Sequence, residues 1–361
     1  MSVPTLRDVA ARAGVHVATA SRALNAETRS LVNAKTAVRV LDAARALGYQ
    51  PNPIARGLRT NRSMSVGVVI PDLTNPLFPP IVRGIEDGLM TEGYATLLVS
   101  TDNNPEREAT LVRALRGRQV DGFFFASARV EDPAINQLAR ERIPLVLINR
   151  RLEGLNLPTV TADDAGGVLL ALKHVSDLGH TRIAYLAGPQ WTSTGKARLC
   201  AFRTGMTDLG LDPTTVVEAR QWSEEEGERG MAQLMGRYPG FTAVLAGNDL
   251  LALGCYDFMA HRGIQCPGHL SVVGFNDVQF MDKVRPALTT VAIPQYEIGA
   301  TAARLMLERI RQPNVAPTSV ELPVTLTVRE STAAPKTLEH GRLAPQRPKK
   351  TSTVPKPRPT A

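Results

Sequence analysis

The pattern of apolar positions changes character once along the chain. In the first sixth, apolar residues recur at helical spacing and glycines end two of the segments, which predicts helices over 6–13, about 15–25 and 34–47. Beyond it, short apolar runs rich in β-branched residues alternate with helical stretches, which predicts buried strands joined by helices. The chain is therefore expected to hold a small all-helical unit followed by an α/β body.

The first two predicted helices have the features of a helix-turn-helix. Thr5 is placed to cap the first helix, with Asp8 three residues on, and Gly14 supplies the turn. On the second helix, one side is formed by Val15, Ala20, Ala23 and Leu24, and the other by Val17, Ala18, Ser21, Arg22 and Asn25. An outer face of small and polar residues with one arginine is typical of a helix that enters the major groove of DNA.

The third predicted helix completes the unit. Asn33 is placed to cap it and Gly48 to end it. Helical spacing turns a set of apolar residues inward, namely Val38, Leu41, Ala44 and Leu47.

The body repeats the order strand, helix, strand in two blocks. In the first block, buried parallel strands are predicted over 66–70, 95–99, 122–125 and 145–148, and helices over 80–92, 105–116 and 133–142. In the second block, strands are predicted over 183–186, 216–218, 243–246 and 271–274, and a helix over 296–311 is assigned to this lobe. The repetition predicts two doubly wound α/β lobes, in which ligands bind beyond the carboxyl ends of the strands.

The distribution of charge separates the ends of the chain from its middle. The 361 residues carry a net charge of +8, made up of +7 over 1–62, −5 over 63–330 and +6 over 331–361. A basic head on a mildly acidic body favours contact with a polyanion through the head. The predicted divisions are a DNA-binding headpiece over 1–50, a hinge linker over 51–63, a body over 64–330 and a tail over 331–361. The tail, with six prolines and seven basic residues, is predicted to be disordered.

Several function classes find no support in the sequence. The three cysteines have no CxxC spacing, so neither a disulfide framework nor a zinc site is predicted. No apolar run is long enough for a membrane helix and no export signal is apparent, so the chain is expected in the cytoplasm. P-loop, GxSxG, HExxH and GxGxxG motifs are absent, so neither an enzyme nor a cofactor is expected.

A solute-binding receptor without a DNA role is the alternative that the body alone would allow. The basic helical head and the missing export signal favour a DNA-binding regulator instead. A sugar-processing enzyme, the third class, lacks any catalytic constellation in the sequence.

Four short motifs carry a family resemblance, namely TLRDVA at 5–10, AGV at 13–15, TASRALN at 19–25 and LGYQPN at 47–52. With them the chain resembles the lactose-repressor/galactose-repressor family of bacterial transcription regulators, over about residues 4–330. The resemblance implies a homodimeric repressor that binds a near-palindromic operator in double-stranded DNA. It also implies a body like the periplasmic sugar-binding proteins, a small-molecule effector between the lobes, and a dimer interface that includes the helix over 80–92.

The resemblance and side-chain chemistry together select the residues expected on DNA. Val17 and Ala18 occupy the family's base-reading pair, and Arg22 is suited to a bidentate contact with guanine. Leu58 matches a hinge leucine that wedges into the minor groove. The other expected contacts, several of them to phosphate oxygens, are Thr5, Leu6, His16, Thr19, Ser21, Asn25, Tyr49, Asn52, Ile54 and Ala55.

Residues expected around the effector come from the same resemblance and from the ends of the predicted strands. Family positions match Phe78, Arg198, Trp222, Asn248 and Asp249, and strand ends or the loops after them add Asp72, Leu77, Asn149, Arg150, Thr194 and Asn276. Asparagine at 149 and 276 replaces an aspartate that is common in the family. If Arg150, Lys196 and Arg198 all point inward, the pocket is cationic and favours an acidic effector, such as a sugar acid or a phosphorylated sugar.

Overall fold

The structure, a computed structural model, describes residues 4–25, 28–49 and 62–335. Four of the expected DNA contacts, Asn52, Ile54, Ala55 and Leu58, lie outside the described residues. The same is true of residues 336–361 of the tail.

Three helices close to their predicted bounds form the head: α1 (Leu6–Ala13), α2 (Val17–Leu24) and α3 (Ala34–Leu47). The predicted capping box is present, because Asp8 N donates to Thr5 Oγ1 and Thr5 N donates to the Asp8 carboxylate. Gly14 ends α1 in the left-handed region, at φ 60°, where a residue without Cβ is favoured.

Small side chains make up the core of the head. Val9 and Val40 are fully buried, and the other buried positions are Ala10, Ala13, Ala20, Ala23, Ala37, Ala43 and Ala44. The prediction that Val38 faces inward is wrong, since 57% of its surface is exposed. The helix α3 instead docks on α1 and α2 through Ala37 and Val40, because helices that approach closely need small residues at the contact.

The first lobe is a six-stranded sheet flanked by helices. Its strands are β1 (Ser65–Ile70), β2 (Ala95–Ser100), β3 (Phe123–Phe125), β4 (Leu145–Ile148), β5 (Thr159–Ala162) and β11 (Ser319–Leu322). They stand in the order β11-β5-β4-β3-β1-β2, and every neighbouring pair is parallel. Its helices are α4 (Phe78–Met90), α5 (Pro105–Gly117), α6 (Pro133–Arg140) and α11 (Gln295–Arg311).

The second lobe has the same plan. Its strands are β6 (Ile183–Ala187), β7 (Val216–Glu218), β8 (Ala243–Ala246), β9 (Ser271–Asn276), β10 (Thr289–Ala292) and β12 (Thr325–Thr327). They stand in the order β12-β10-β9-β8-β6-β7, with β12 antiparallel to β10 and the other pairs parallel. Its helices are α7 (Asp164–Asp177), α8 (Ser193–Asp208), α9 (Glu224–Arg237) and α10 (Asp249–Arg262). The predicted pair of doubly wound lobes is confirmed.

The chain passes between the lobes three times, after β5, after β10 and after β11. Because the second crossing comes before α11, this helix packs against α4, β4 and β5 of the first lobe. Its predicted place in the second lobe is therefore wrong. Three connections also limit the ways in which the lobes can move relative to each other.

One predicted buried strand is largely exposed. The strand β2 stands at the edge of its sheet, where it pairs with β1 alone. Most of its residues are partly or fully exposed, and Leu98 is 40% exposed. The apolar run could not reveal this, because an edge position is set by the pairing of the whole sheet.

The first residues assigned to the tail pack on the second lobe. Ser331 is fully buried, with its hydroxyl donating to Val272 O and accepting from Thr289 N. The buried His180 is bonded through Nε2 to Ala333 O at 2.9 Å. The body therefore continues beyond the predicted boundary at residue 330, through residue 335 of the described chain.

The helices α4 and α11 approach each other through glycine. A Cβ added to Gly84 would lie 2.2 Å from Tyr296 O, and one added to Gly299 would lie 1.9 Å from Ile81 O. Each distance is far below a normal van der Waals contact. The two helix backbones can therefore touch only while these positions lack a side chain.

Replacing Gly84 with alanine tests this contact. The added methyl group would meet the backbone of α11, so we expect a lower midpoint of thermal unfolding, equivalent to about 1–3 kcal/mol of lost stability. Gly236→Ala on α9 is the control, because nothing lies within 4 Å of its Cβ position. We expect the control to leave the midpoint unchanged or slightly raised. Equal midpoints for Gly84→Ala and the wild type would contradict the close packing.

Candidate functional site

The outer face of α2 presents the expected base-reading residues. Ala18 and Arg22 are exposed one helical turn apart, and Val17 is half-buried beside them. His16 begins the helix, with its Nδ1 accepting from Ala18 N at 3.2 Å. The imidazole thus supplies the N-cap that a serine or threonine more often provides.

Other expected DNA contacts surround this helix. Thr5 is exposed at the start of α1, and its hydroxyl donates to Asp8, which lowers the pKa of that carboxyl. Leu6 and Tyr49 pack partly against the core of the head, and burial raises the pKa of the Tyr49 phenol. Half-buried positions on or just after α2 are Thr19, Ser21 and Asn25. Contact with DNA at all of these positions remains a prediction.

A narrow cleft separates the lobes where the carboxyl ends of their strands meet. Nine of the eleven expected effector residues line it, namely Leu77, Phe78, Asn149, Arg150, Thr194, Arg198, Trp222, Asn248 and Asn276. Asn75 completes the lining, and little free space is left between the walls of the cleft.

The other two expected residues, Asp72 and Asp249, lie elsewhere, and so does Lys196, which was a candidate for the pocket only if its side chain pointed inward. The Asp72 carboxylate accepts from Thr74 N at 2.8 Å and from Thr74 Oγ1 at 2.7 Å, in a turn near the surface. Asp249 is buried behind the cleft, inside the second lobe. Lys196 is exposed to solvent. None of the three lines the cleft, because their side chains are held in a turn, in the lobe interior and in solvent, respectively.

Arg198 is the most heavily bonded residue of the cleft. Its Nε donates to Asp164 at 2.7 Å, and its Nη1 donates to Gly247 O at 2.7 Å. A weaker bond of 3.5 Å joins Nη2 to Asn276 Oδ1, and the guanidinium carbon lies 3.7 Å from the centre of the Phe275 ring. Burial raises the pKa of Asp164 despite this partner. The guanidinium is thus paired and fixed before any ligand enters.

Arg150, from the opposite lobe, is buried as deeply but bonded less. Its Nη1 donates to Ser127 O at 2.9 Å and to Ala128 O at 3.4 Å. Its Nε is buried without a hydrogen-bond partner. Burial lowers the pKa of this guanidinium to about 10, so the charge is held in an unfavourable place.

Two glycines make room for Trp222. A Cβ added to Gly188 would lie 1.8 Å from the indole ring, and one added to Gly247 would lie 3.1 Å from it. Both glycines directly follow strands, β6 and β8. The indole therefore packs closely against the ends of two strands and forms an aromatic wall of the cleft.

The two cleft asparagines have unusual backbones. Asn149 has φ 62° and Asn276 has φ 113°, both in the region that favours glycine. Gln295 Nε2 donates to Asn276 O at 2.9 Å, which helps to hold that turn. Backbone strain of this kind collects at binding sites, where the surrounding structure maintains it.

A group of contacts clasps the lobes together beside Arg150. Val130 N donates to Trp191 O at 3.1 Å, and Arg151 N donates to Ser193 Oγ at 2.8 Å. The Trp191 ring also lies over Arg129 and Arg150, with its centroid 4.8 Å and 5.4 Å from their guanidinium carbons. This clasp joins the loops after β3 and β4 to the loop before α8 and to the first residue of that helix.

Sequence reasoning left out some important residues. Asp164 pairs with Arg198, and Ser127 and Ala128 carry the carbonyls that accept from Arg150. Ser127 and Ala128 follow β3, a strand end that was not included among the expected positions. The strand-end rule, applied to every predicted strand, would have found these two.

In the described part of the chain, no group of three or more His, Cys, Asp or Glu side chains could hold a metal ion. No helix among the described residues is long and apolar enough to cross a membrane.

The architecture and motifs match proteins that are already characterised. Residues 5–52 match the family described as bacterial regulatory proteins, lacI family, and residues 172–332 match the periplasmic binding protein-like domain. Catabolite control protein A of Priestia megaterium is 33% identical over 332 residues, which cover 91% of this chain and 99% of that protein. The chain belongs to the lacI family.

Further relatives agree with this membership. The ribose operon repressor of Halalkalibacterium halodurans is 31% identical over 91% of this lacI-family chain and 97% of its own length. The lac repressor dimer bound to operator and the anti-inducer ONPF has a TM-score of 0.82 and 27% identity, covering 92% of this chain and 100% of that one. The CelR–cellobiose complex has a TM-score of 0.70 and 30% identity, covering 91% and 99%. The predicted family, fold class and role as a DNA-binding transcriptional regulator are confirmed.

The buried carboxyl of Asp249 makes the stability of this regulator depend on pH. Burial raises the pKa of its carboxyl to about 7, although Thr290 Oγ1 and Val278 N donate to it at 2.5 Å and 2.9 Å. In the unfolded chain such a group titrates near pH ~4, so the unfolded state loses its proton first as the pH rises. The native state therefore loses stability from this group between about pH 4 and about pH 7.

In Asp249→Asn we expect this loss to disappear. Between about pH 5 and about pH 7, the unfolding midpoint of the variant should fall less, or rise more, than that of the wild type. Asp257→Asn, at an exposed position on the same helix, should follow the wild type. Parallel pH profiles for Asp249→Asn and the wild type would show that the carboxyl is not held protonated.

Proposed function

We propose that this lacI-family regulator is a homodimeric repressor whose affinity for a near-palindromic operator is set by a small effector of the sugar class. The observation that carries the proposal is the exposed outer face of α2, with Ala18 and Arg22 on it, on a head that is joined to a two-lobed body with a polar cleft.

On double-stranded DNA, α2 lies in the major groove. Val17 and Ala18 approach the base edges, and Arg22 donates to a guanine. The net charge of +7 over residues 1–62 supports attraction to the phosphates. The further contacts that we propose are Thr5, Leu6, His16, Thr19, Ser21, Asn25 and Tyr49 in the head, and Asn52, Ile54, Ala55 and Leu58 in the hinge.

Two copies are needed to bind a near-palindromic site. One helix-turn-helix contacts one half-site, and a two-fold axis between copies matches the symmetry of the operator. The similar lac repressor structure is itself a dimer on its operator. We place the interface along the body, where the exposed side of α4 includes Met90, 69% of whose surface is open.

The cleft is suited to a small polar effector. Phe78 and Trp222 offer ring faces against which a sugar can stack, and Asn149, Asn248 and Asn276 offer amides to its hydroxyl groups. Related regulators bear names that refer to ribose and cellobiose. Binding that favours one arrangement of the lobes would change the spacing of the two heads and so the affinity for operator.

The proposal makes the protein a binding regulator and not an enzyme. It acts in the cytoplasm, where its operator lies, and without a cofactor. The match to the lacI family at 5–52 argues against a solute-binding receptor, which would have no use for a DNA-binding head.

Operator selectivity tests the proposed function. A preferred site is selected from a pool of random duplexes, and its affinity is compared with that of a scrambled duplex at fixed salt. We expect the wild type to prefer a near-palindromic site. Arg22→Ala should lose about 1–3 kcal/mol of this preference, because a bidentate contact with guanine is removed.

Arg45→Ala provides the matched control in the same head. Arg45 is exposed on α3 and pairs with Asp42, so this variant removes one positive charge away from α2. It should keep the selectivity of the wild type. If the wild type binds the scrambled duplex as tightly as the selected site, the repressor proposal fails.

A further inference from the structure

The wall of the cleft is strongly unbalanced in charge. Two buried guanidinium groups line it, from Arg150 on one lobe and Arg198 on the other. The other lining residues are apolar, aromatic, hydroxyl or amide, and no carboxylate is among them. The two arginines differ, however, in how their charges are neutralised.

Arg198 already has its counter-charge. The Asp164 carboxylate lies 2.7 Å from Arg198 Nε, just outside the lining of the cleft. A ligand that meets Arg198 therefore meets a neutral pair, which can donate hydrogen bonds to hydroxyl groups without demanding an anion.

Arg150 has no such partner. Among the described residues, no carboxylate oxygen lies within the 4.0 Å of its guanidinium nitrogens that defines an ion pair. Only 2% of the residue is exposed, and its Nε makes no hydrogen bond. A buried cation in this state is costly unless something supplies the missing charge.

The nearest acidic side chains do not supply it. Asp132 accepts from Ile135 N at 3.1 Å and so caps α6. Glu108 is buried, which raises the pKa of its carboxyl, and its oxygens lie beyond the 4.0 Å ion-pair distance from Arg150. Both act on Arg150 only from a distance.

We propose that the effector carries an anionic group, a carboxylate or a phosphoryl group, that pairs with Arg150 in the cleft. This inference rests on the proposed function, since it assumes that the cleft is the effector site. The hydroxyl groups of the same ligand lie toward Arg198 and the cleft asparagines. The walls of the cleft lie close together, which favours a small ligand of the size of a monosaccharide derivative.

Trp191 connects this anion site to the contact between the lobes. Its ring lies 5.4 Å from the guanidinium carbon of Arg150, and its carbonyl accepts from Val130 N of the other lobe. An anion on Arg150 weakens the attraction of that cation for the indole face. The charge of the ligand and the contact between the lobes therefore both act on Trp191.

A second groove on the body offers space for a ligand but lacks an unpaired buried cation. Between α4 and α11 lies an open groove that is larger than the cleft. Its charged residues are paired with one another, Arg311 with Glu92 at 2.6 Å and Arg304 with Glu308 at 3.9 Å. An anion would find no unpaired buried cation among them.

The test compares neutral and anionic probes on the full chain at constant ionic strength. The pairs are D-glucose with D-glucuronate, D-galactose with D-galacturonate, and D-ribose with D-ribose 5-phosphate, read by thermal shift and tryptophan fluorescence. Acetate and inorganic phosphate, each replacing chloride, form the last two arms. We expect anionic probes to raise the unfolding midpoint more than their neutral partners, with acetate and phosphate showing which anionic group is preferred.

Variants assign the effect to Arg150. Arg150→Gln should raise the anion concentration that gives half of the maximal thermal shift by about ten- to hundredfold. Arg150→Lys keeps the positive charge and should keep part of the response, which would exclude a general folding defect. Arg203→Gln removes a charge from an exposed position on α8 and should behave as the wild type.

Three results would overturn the proposal. They are a neutral sugar that binds while its anionic partner does not, an anion response that survives in Arg150→Gln, and no effect of any anion, acetate and phosphate included. A neutral sugar that changes operator affinity would leave the proposed function intact and reject only the anionic effector.

Discussion

The geometry of the cleft depends on one buried ion pair, between Arg198 and Asp164. Asp164 lies where the chain first enters the second lobe, directly after β5. Arg198 also bonds Gly247 and Asn276, at the ends of two strands. A single guanidinium thus joins the first crossing between the lobes to the carboxyl ends of two central strands of the second sheet, β8 and β9. Since loss of either partner would leave a buried charge unpaired, the shape of the cleft and the connection of the lobes are fixed together.

The Arg198 side of the cleft is fixed by this ion pair, whereas the opposite side, which holds Arg150, can respond to a ligand. Its guanidinium lacks a paired carboxylate among the described residues, and its neighbours Arg129 and Trp191 form part of the clasp between the lobes. A ligand can shift an equilibrium only through contacts that differ between two states. The clasp offers such contacts, because they span the lobes and lie next to a buried charge that a ligand can neutralise.

Local pattern was enough to predict the head and most of the body. The spacing of apolar residues indicates helices and buried strands directly, so the predicted bounds of these elements lie close to the observed ones. The strands β5, β10, β11 and β12 were missed because they are short and several are rich in threonine, and their pairing depends on distant segments. In the cleft, strand ends located most residues but not the direction of each side chain. Asp249 follows Asn248 directly, yet it turns into the lobe while its neighbour lines the cleft.

Amide hydrogen exchange of the full chain, free and bound to its selected operator duplex, tests the coupling of head and cleft most directly. The account predicts that operator binding changes exchange in the head, over 4–49, and also at the clasp, over 127–130, 150–151 and 191–193. Both regions should respond because they share one conformational equilibrium. Changes confined to the head, with identical exchange at the clasp, would contradict the account.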